Sequence, residues 1–307
     1  MSAGWVAGTV RAQAMTRRRL GSAAVRQLAT SPSLETAVAT LARSTYGHDV
    51  HPGQTLPEAQ RAVVETVVWN MRVLGGWVPR DGVPVLRILL GTLEATNVQD
   101  HLQRLAGTDP PPPYRLGALA TVWPRLSRTP SVPELRKVLT TSPWGDPGGD
   151  SARVIGLSMQ TSLADRIMSA VPEAEAWTAA AMALLVAREV LLGGRDLPAN
   201  ARNLVARVLG PSAASAVTLP DLMAVLPGKA RWVLSDVQDP LDLWRAEARW
   251  WARVERDGFA LVRAASAGRA VVVGVVAIMA TDAWRVRGAL ELAARGGTPL
   301  EVFDGIA

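Results

Sequence analysis

TLPEAQRAVVETVVWNMRVLGG, residues 55–76, decides the fold class. Within it Val63, Val67, Met71 and Leu74 recur at steps of three and four, while Arg61, Glu65 and Arg72 fall elsewhere on the helical wheel. Thr55 supplies a hydroxyl at the N-cap, and Glu58, three residues on, can bond back to the cap's amide. Pro57 stands in the first turn, where a missing N–H does no harm. Gly75 and Gly76, with Pro79 and Pro84 beyond, end the segment. The stretch reads as one amphipathic helix with a single buried stripe.

Outward from it the same start recurs, at Ser131-Val132-Pro133-Glu134 and Thr218-Leu219-Pro220-Asp221, spaced by 76 and 87 residues. These spacings suggest three related units of about 100 residues; three independent helix starts of a common type would look the same. A second echo pairs the apolar run Leu86–Leu93 with that at Val271–Met279. Each is followed by a more polar segment, opening at Ala95-Thr96-Asn97 or Ala280-Thr281-Asp282 and closing on an Arg and a Gly. Thr96 and Thr281 are read as N-caps of the second helix of each pair, and a middle copy falls within Met182–Gly210. Leu241, Trp244, Ala248 and Trp251 form another helical stripe. Breakers at Pro110–Pro113, Pro143–Gly149, Gly193–Gly194, Gly210–Pro211, Pro227–Gly228 and Gly296–Gly297 divide the chain into roughly fourteen to eighteen helices. Sustained two-residue alternation, the mark of half-buried strands, is absent from the pattern.

Composition narrows the classes further. A 307-residue chain with 49% hydrophobic residues can pack more than one core. The net charge of +6 comes from 33 basic residues interleaved with 27 acidic ones, and the one dense cluster is Arg17, Arg18 and Arg19. No basic run alternates with stacking aromatics, so a solvated helical face is preferred over a nucleic-acid surface. With no cysteine, disulfide frameworks, thiolate metal sites and Cys nucleophiles are excluded. No signal-type apolar region opens the chain, and the longest uncharged apolar stretch, Ala270–Thr281, is short of the roughly 20 residues a membrane span needs.

Catalytic patterns are not found. Phosphate-binding glycine loops, G-x-S-x-G and H-E-x-x-H do not occur. Of the three histidines, His48 and His51 share the stretch Gly47–His51 with Asp49, without a further ligand to complete a metal sphere. The carboxylates offer no pair in an apolar setting: Glu173 and Glu175 fall on different helix faces, and Asp236 and Asp239 flank a turn. The helix from Ser131 to Leu139 lacks a basic recognition face beyond Arg136 and Lys137. The expectation is a protein without catalytic residues, cofactor or metal.

With these residues in view, the chain resembles the central-stalk socket family of the V-type and archaeal or bacterial A/V-type rotary ATPases. The resemblance is strongest from Leu28 to Gly107, through LATSPSLETAVATLARSTYGHDV, LPEAQRAVVETVV and VLRILLGTLEATNVQDHLQRLAG, with the Tyr46-Gly47 turn, the Leu-Pro-acid start and Asn97, Leu102 and Arg104. The opening, Trp5 to Ala12, is similar to the family's aromatic-x-Asn-Ala-Arg-Val-Arg-Ala, with Ala7 in place of the Asn and Thr9 in place of the first Arg. GVVAIMATDAWRVRGALELAARGGTP, near the other end, resembles its closing helix pair; residues 108–265 match in length and helical character alone.

The resemblance implies an all-α, funnel-shaped body of three similar helical units around a pseudo-threefold axis, here about 1–110, 111–213 and 214–307. It implies a central-rotor protein that couples the central stalk to the membrane proteolipid ring for proton or sodium transport, peripheral on the cytoplasmic face of the membrane, with no direct span and no nucleic acid. Arg17, Arg18 and Arg19, then Arg285 and Arg287, are the candidates for partner contact, against the simpler reading of solvent-exposed arginines. A helical-repeat scaffold or regulator unrelated to ATPases is the alternative, and an Arg-rich nucleic-acid binder the third reading.

Overall fold

A computed structural model describes residues 3–265 and 267–297. Among these there is no strand, and fifteen α-helices carry the chain. They are α1 (Ala3–Thr16), α2 (Ser22–Ala29), α3 (Leu34–Leu41), α4 (Leu56–Gly75), α5 (Gly82–Leu89), α6 (Gly91–Leu105), α7 (Trp123–Leu126) and α8 (Val132–Thr140). Then come α9 (Ala152–Ala170), α10 (Glu175–Val186), α11 (Ala199–Leu209), α12 (Leu219–Val225), α13 (Gly228–Arg231), α14 (Leu243–Ala264) and α15 (Arg269–Ala294). A π-helical turn, Ala187–Leu192, extends α10.

The three predicted helix starts are real: Thr55, Ser131 and Thr218 are the N-caps of α4, α8 and α12, each with proline in the first turn. The Glu58 carboxylate accepts from Thr55 N at 2.8 Å, which holds its acid below the usual glutamate range. Thr218 Oγ1 accepts from Asp221 N at 3.2 Å, whereas the Ser131 side chain makes no cap bond.

The second echo does not survive as paired helices. No break occurs at Ala280–Asp282: α15 is one helix of 26 residues, and Thr281 Oγ1 bonds back to Ala277 O at 2.9 Å instead of capping a new start. With neither Gly nor Pro there, nothing interrupts the backbone ladder. In the other pair the break falls at Leu90, and Thr96 lies inside α6, bonded to Thr92 O at 3.1 Å.

The chain forms two compact units, one from the segments through Leu86 and from Trp251 onward, the other from Arg87 to Trp250. Their boundaries fall inside α5 and α14. Residues 110 and 213, the approximate bounds expected for three units, both lie within the second unit.

Unit 1 is organised by α15, which packs against α1, α2, α3 and α4. Val271, Val272, Val273, Val275 and Ile278 are all buried, so the first half of α15 is apolar on every side because helices cover every side. Its crossing with α14 is set by two glycines. A Cβ on Gly274 would lie 2.5 Å from Gly258 O, and one on Gly258 2.9 Å from Gly274 O, so the two backbones meet where no side chain fits.

Unit 2 holds two apolar clusters. One gathers Val98, Leu102, Leu126, Leu135, Leu139, Trp144, Ile155 and Met159 from α6 to α9; the other includes Ala183, Val205, Leu222 and Val233 from α10 to just beyond α13. Helix α9 serves both, packing on α6, α10 and α11. At one point of this packing, Gly91 faces Leu163 and Trp144, which a Cβ would meet at 2.5 and 3.3 Å. Among the described residues no helix is long and apolar enough to cross a membrane.

Candidate partner interface

Helix α1 stops at Thr16, and the chain turns through Arg17, Arg18 and Arg19 before α2 begins at Ser22. Two backbone amides hold this turn to α15: Leu20 N and Gly21 N donate to Asp282 Oδ2 and Oδ1 at 2.9 and 2.8 Å. Gly21 has φ +80°, a conformation that side-chain-bearing residues avoid, so a glycine follows the arginines for a conformational reason. Tyr46 OH donates to the same carboxylate, at 2.8 Å to Oδ2. Asp282 is thus buried with three donors upon it. Burial, and then the charge of and hydrogen bond to Asp282, push the Tyr46 hydroxyl well above its ordinary range.

The clamp aims the arginines. Arg17 and Arg18 are exposed, and neither is in an ion pair among the described residues. Arg19 is half-buried: its Nη1 donates to Thr16 O at 3.0 Å and its guanidinium lies over the Phe259 ring, 4.8 Å from the centroid. On α14 the residues three before and four after Phe259 are Arg256 and Arg263, both exposed and on the same helix side. Arg256 is 3.9 Å from Asp257, a carboxylate also approached by Arg253 at 3.3 Å. The first acidic residue of the chain is Glu35, so no carboxylate in the first two helices offsets the turn. Arg256 and Arg263 were not among the candidates read from sequence; their spacing around Phe259 was legible, its proximity to Arg19 was not.

Arg285 is elsewhere than expected. It is buried, and its Nη1 donates to Glu255 Oε2 at 2.7 Å, tying α15 to α14 inside unit 1. It is therefore not a partner-facing residue in this structure: its charge is neutralised internally. The signal was present in the sequence, since Ile278, Asp282, Arg285 and Ala289 follow steps of four, three and four along one buried stripe. Arg287, two residues on, points to the other side of α15 and is exposed; its carbonyl accepts from Gln60 Nε2 at 3.2 Å. The stacked pair Trp251–Trp284, centroids 5.4 Å apart, lies along the same α14–α15 seam. Thr9, where the family opening has an arginine, is buried and accepts from Gly268 N at 3.0 Å.

The histidine stretch is structural in its contacts. His48 stacks on Trp69 with centroids 4.2 Å apart and meets Asp49 Oδ2 at 2.7 Å, while Thr66 Oγ1 donates to that same oxygen at 2.9 Å. Among the described residues no group of three or more His, Cys, Asp or Glu side chains is placed to hold a metal ion. What the arginine turn offers chemically is fixed positive charge with planar hydrogen-bond forks, suited to carboxylates on a partner. No protein-family model matches the chain, and no curated protein sequence matches it.

Proposed function

We propose that the protein is a central-rotor component of a V/A-type rotary ATPase or ATP synthase, joining the central stalk to the membrane proteolipid ring. One observation carries most of the weight. Most of the sequence that resembles the family lies in two stretches at opposite ends of the chain, and most of both stretches folds together in unit 1. A chance resemblance has no reason to distribute itself over two distant segments that then share a core. In this reading the body is a funnel of three similar helical units about a pseudo-threefold axis, and it contributes grip and torque transfer with no chemistry of its own. Arg17 and Arg18, with Arg19, Arg256 and Arg263 beside them, are the side chains offered to an acidic partner surface.

The test is an affinity-tagged copy expressed in the native organism and recovered from gently solubilised membranes. Co-purification of the proteolipid and central-stalk proteins is the expected result, together with ATP hydrolysis that no longer drives ion movement when the gene is deleted. Recovery of the intact protein with other partners and no ATPase components would overturn the reading in favour of a scaffold.

A further inference from the structure

Helix α1 is packed on one side and bare on the other. Gly4 and Gly8 face inward, where an added Cβ would lie 3.1 Å from Pro79 and 3.0 Å from Val78. Thr9, Ala12 and Met15 are buried as well, and the helix packs on α4 and α15. The opposite side carries Val6, Ala7, Val10, Gln13 and Ala14, at steps of three and four, all of them exposed. Val6 and Val10 are 48% and 63% exposed. Arg11, the one charged residue of α1, is half-buried between the two sides. A surface helix ordinarily turns charged or polar residues outward. This one shows four apolar side chains and a glutamine over about 12 Å, from Val6 to Ala14, at roughly 1.5 Å per residue.

The bare face ends in charge. Arg17 and Arg18 follow directly, exposed and outside any ion pair among the described residues, and the chain has no acid before Glu35. That charge argues against a second copy as the occupant. Two α1 helices paired in parallel would set these arginines against each other. Paired antiparallel, they would set them at helix N-termini, the positive ends of the backbone dipole. A bilayer answers the charge but not the side chains: interfacial helices insert tryptophan, phenylalanine or leucine, and this face has none. Trp5 turns its ring inward, 3.1 Å from where a Cβ on Gly82 would stand, and the exposed Trp77 adjoins α1 on its packed side, its carbonyl beside Gly8. Short side chains favour instead the close approach of another helix.

We propose that the outward face of α1 is the docking site for one amphipathic helix of a partner protein, with apolar residues at three- and four-residue steps against Val6 and Val10 and carboxylates that reach Arg17 and Arg18. The inference rests on the reading that these arginines meet an acidic partner, and it adds the apolar half of the contact. The stripe supplies adhesion by burying apolar surface. The arginines, confined to one end, fix which way the partner helix runs.

The test places a benzophenone photo-crosslinker at Val10 of the full-length chain, irradiates it in native membranes before solubilisation, and sequences the adduct. An adduct is expected on a segment with that apolar spacing and with Asp or Glu within a turn or two. Its yield should fall about tenfold in Arg17→Glu/Arg18→Glu, and should also fall as salt rises. Val6→Asp, at an exposed position, should lower the yield comparably while leaving the melting temperature within a few degrees of the parent. Should Val6→Asp fail to fold, Ala14→Trp, which blocks close approach, takes its place. Absence of an adduct, an adduct with lipid, with another copy or with the chain itself, or a yield unmoved by the charge reversal, overturns the proposal. The result is separable from the rotor reading. Co-purification of ATPase components without an adduct removes the docking face alone, whereas an adduct on such a helix in a protein outside any ATPase keeps the face and removes the rotor.

Discussion

In unit 1 Asp282, on α15, takes the amides of Leu20 and Gly21; in unit 2 Glu94, on α6, takes those of Thr121 and Val122. The device is the same: a carboxylate buried in a helix fixes two consecutive amides of a distant segment, satisfying donors that would otherwise be stranded. The surroundings differ. One turn from Asp282, Arg285 is matched directly by Glu255, whereas the Arg166 guanidinium, half-buried over the Trp144 ring, has only the longer-range charge of Glu94 and no direct ion pair among the described residues. Unit 1 closes its buried charges internally and turns surplus arginines to the surface. Unit 2 leaves one guanidinium half inside, answered by a buried carboxylate that does not pair with it directly.

The largest effect that can break this comparison is loss of a clamp. Asp282→Ala strands two amides and a tyrosine hydroxyl and should cost about 4–5 kcal/mol, against about 3 kcal/mol for the two amides released by Glu94→Ala. Hydrogen exchange resolved by segment is the appropriate measurement, since a two-unit chain need not unfold in one step. Protection should fall first in α2 and α15 for the former, and in α7 and α8 for the latter. Equal loss throughout both units would contradict independent clamps.

Charge matching comes next. Arg285→Met leaves Glu255 without its partner and should destabilise unit 1 by about 2–3 kcal/mol. Arg166→Met removes a ring contact and a charge that Glu94 feels only at longer range, and should destabilise unit 2 by less, about 1 kcal/mol. Denaturant midpoints of the two variants, measured side by side, check the contrast, which disappears if both lose stability equally.

Packing offers a finer contrast. At Gly274 an added methyl meets the Gly258 carbonyl, a backbone atom that cannot turn aside. Gly274→Ala should therefore cost about 2 kcal/mol, while Gly91→Ala, which meets the end of the Leu163 side chain, should cost about 1 kcal/mol. Thermal melts that reverse this order would mean that α14 and α15 can slide apart more easily than a leucine can change rotamer.

The smallest effect concerns alkali. Tyr46 is held protonated in the folded chain, so above its ordinary value of 10.0 the unfolded state sheds a proton that the folded state retains. Stability is fully present below that pH and declines as pH rises above it, by at most about 1.4 kcal/mol per pH unit from this group. Tyr46→Phe should remove that part of the alkaline decline from unit 1. Unit 2, whose Glu94 clamp uses amides alone, should be unaffected. An unchanged alkaline limb in Tyr46→Phe would show that the hydroxyl does not titrate across the transition.

Helix class and several helix starts were legible because they are decided within one turn. Thr55, Ser131 and Thr218 needed only the following proline and carboxylate to announce α4, α8 and α12. The false start at Thr281-Asp282 shows the limit of such reading. Both residue types favour caps, yet the Asp282 oxygens serve amides 261 and 262 positions away, and α15 runs straight through. Of the candidate contact residues, Arg17, Arg18 and Arg287 are exposed as the sequence suggested. Arg256 and Arg263 join the turn only because Arg19 settles on Phe259.

Local sequence thus specifies an all-helical chain and the points where several of its helices begin, because caps, prolines and three-to-four-residue periodicity act on neighbours in the chain. Which arginines face outward is settled by packing between distant segments. A guanidinium is fully buried at least cost where another helix brings an acid to it, as Glu255 is brought to Arg285 across 30 residues. No local pattern records whether that acid arrives.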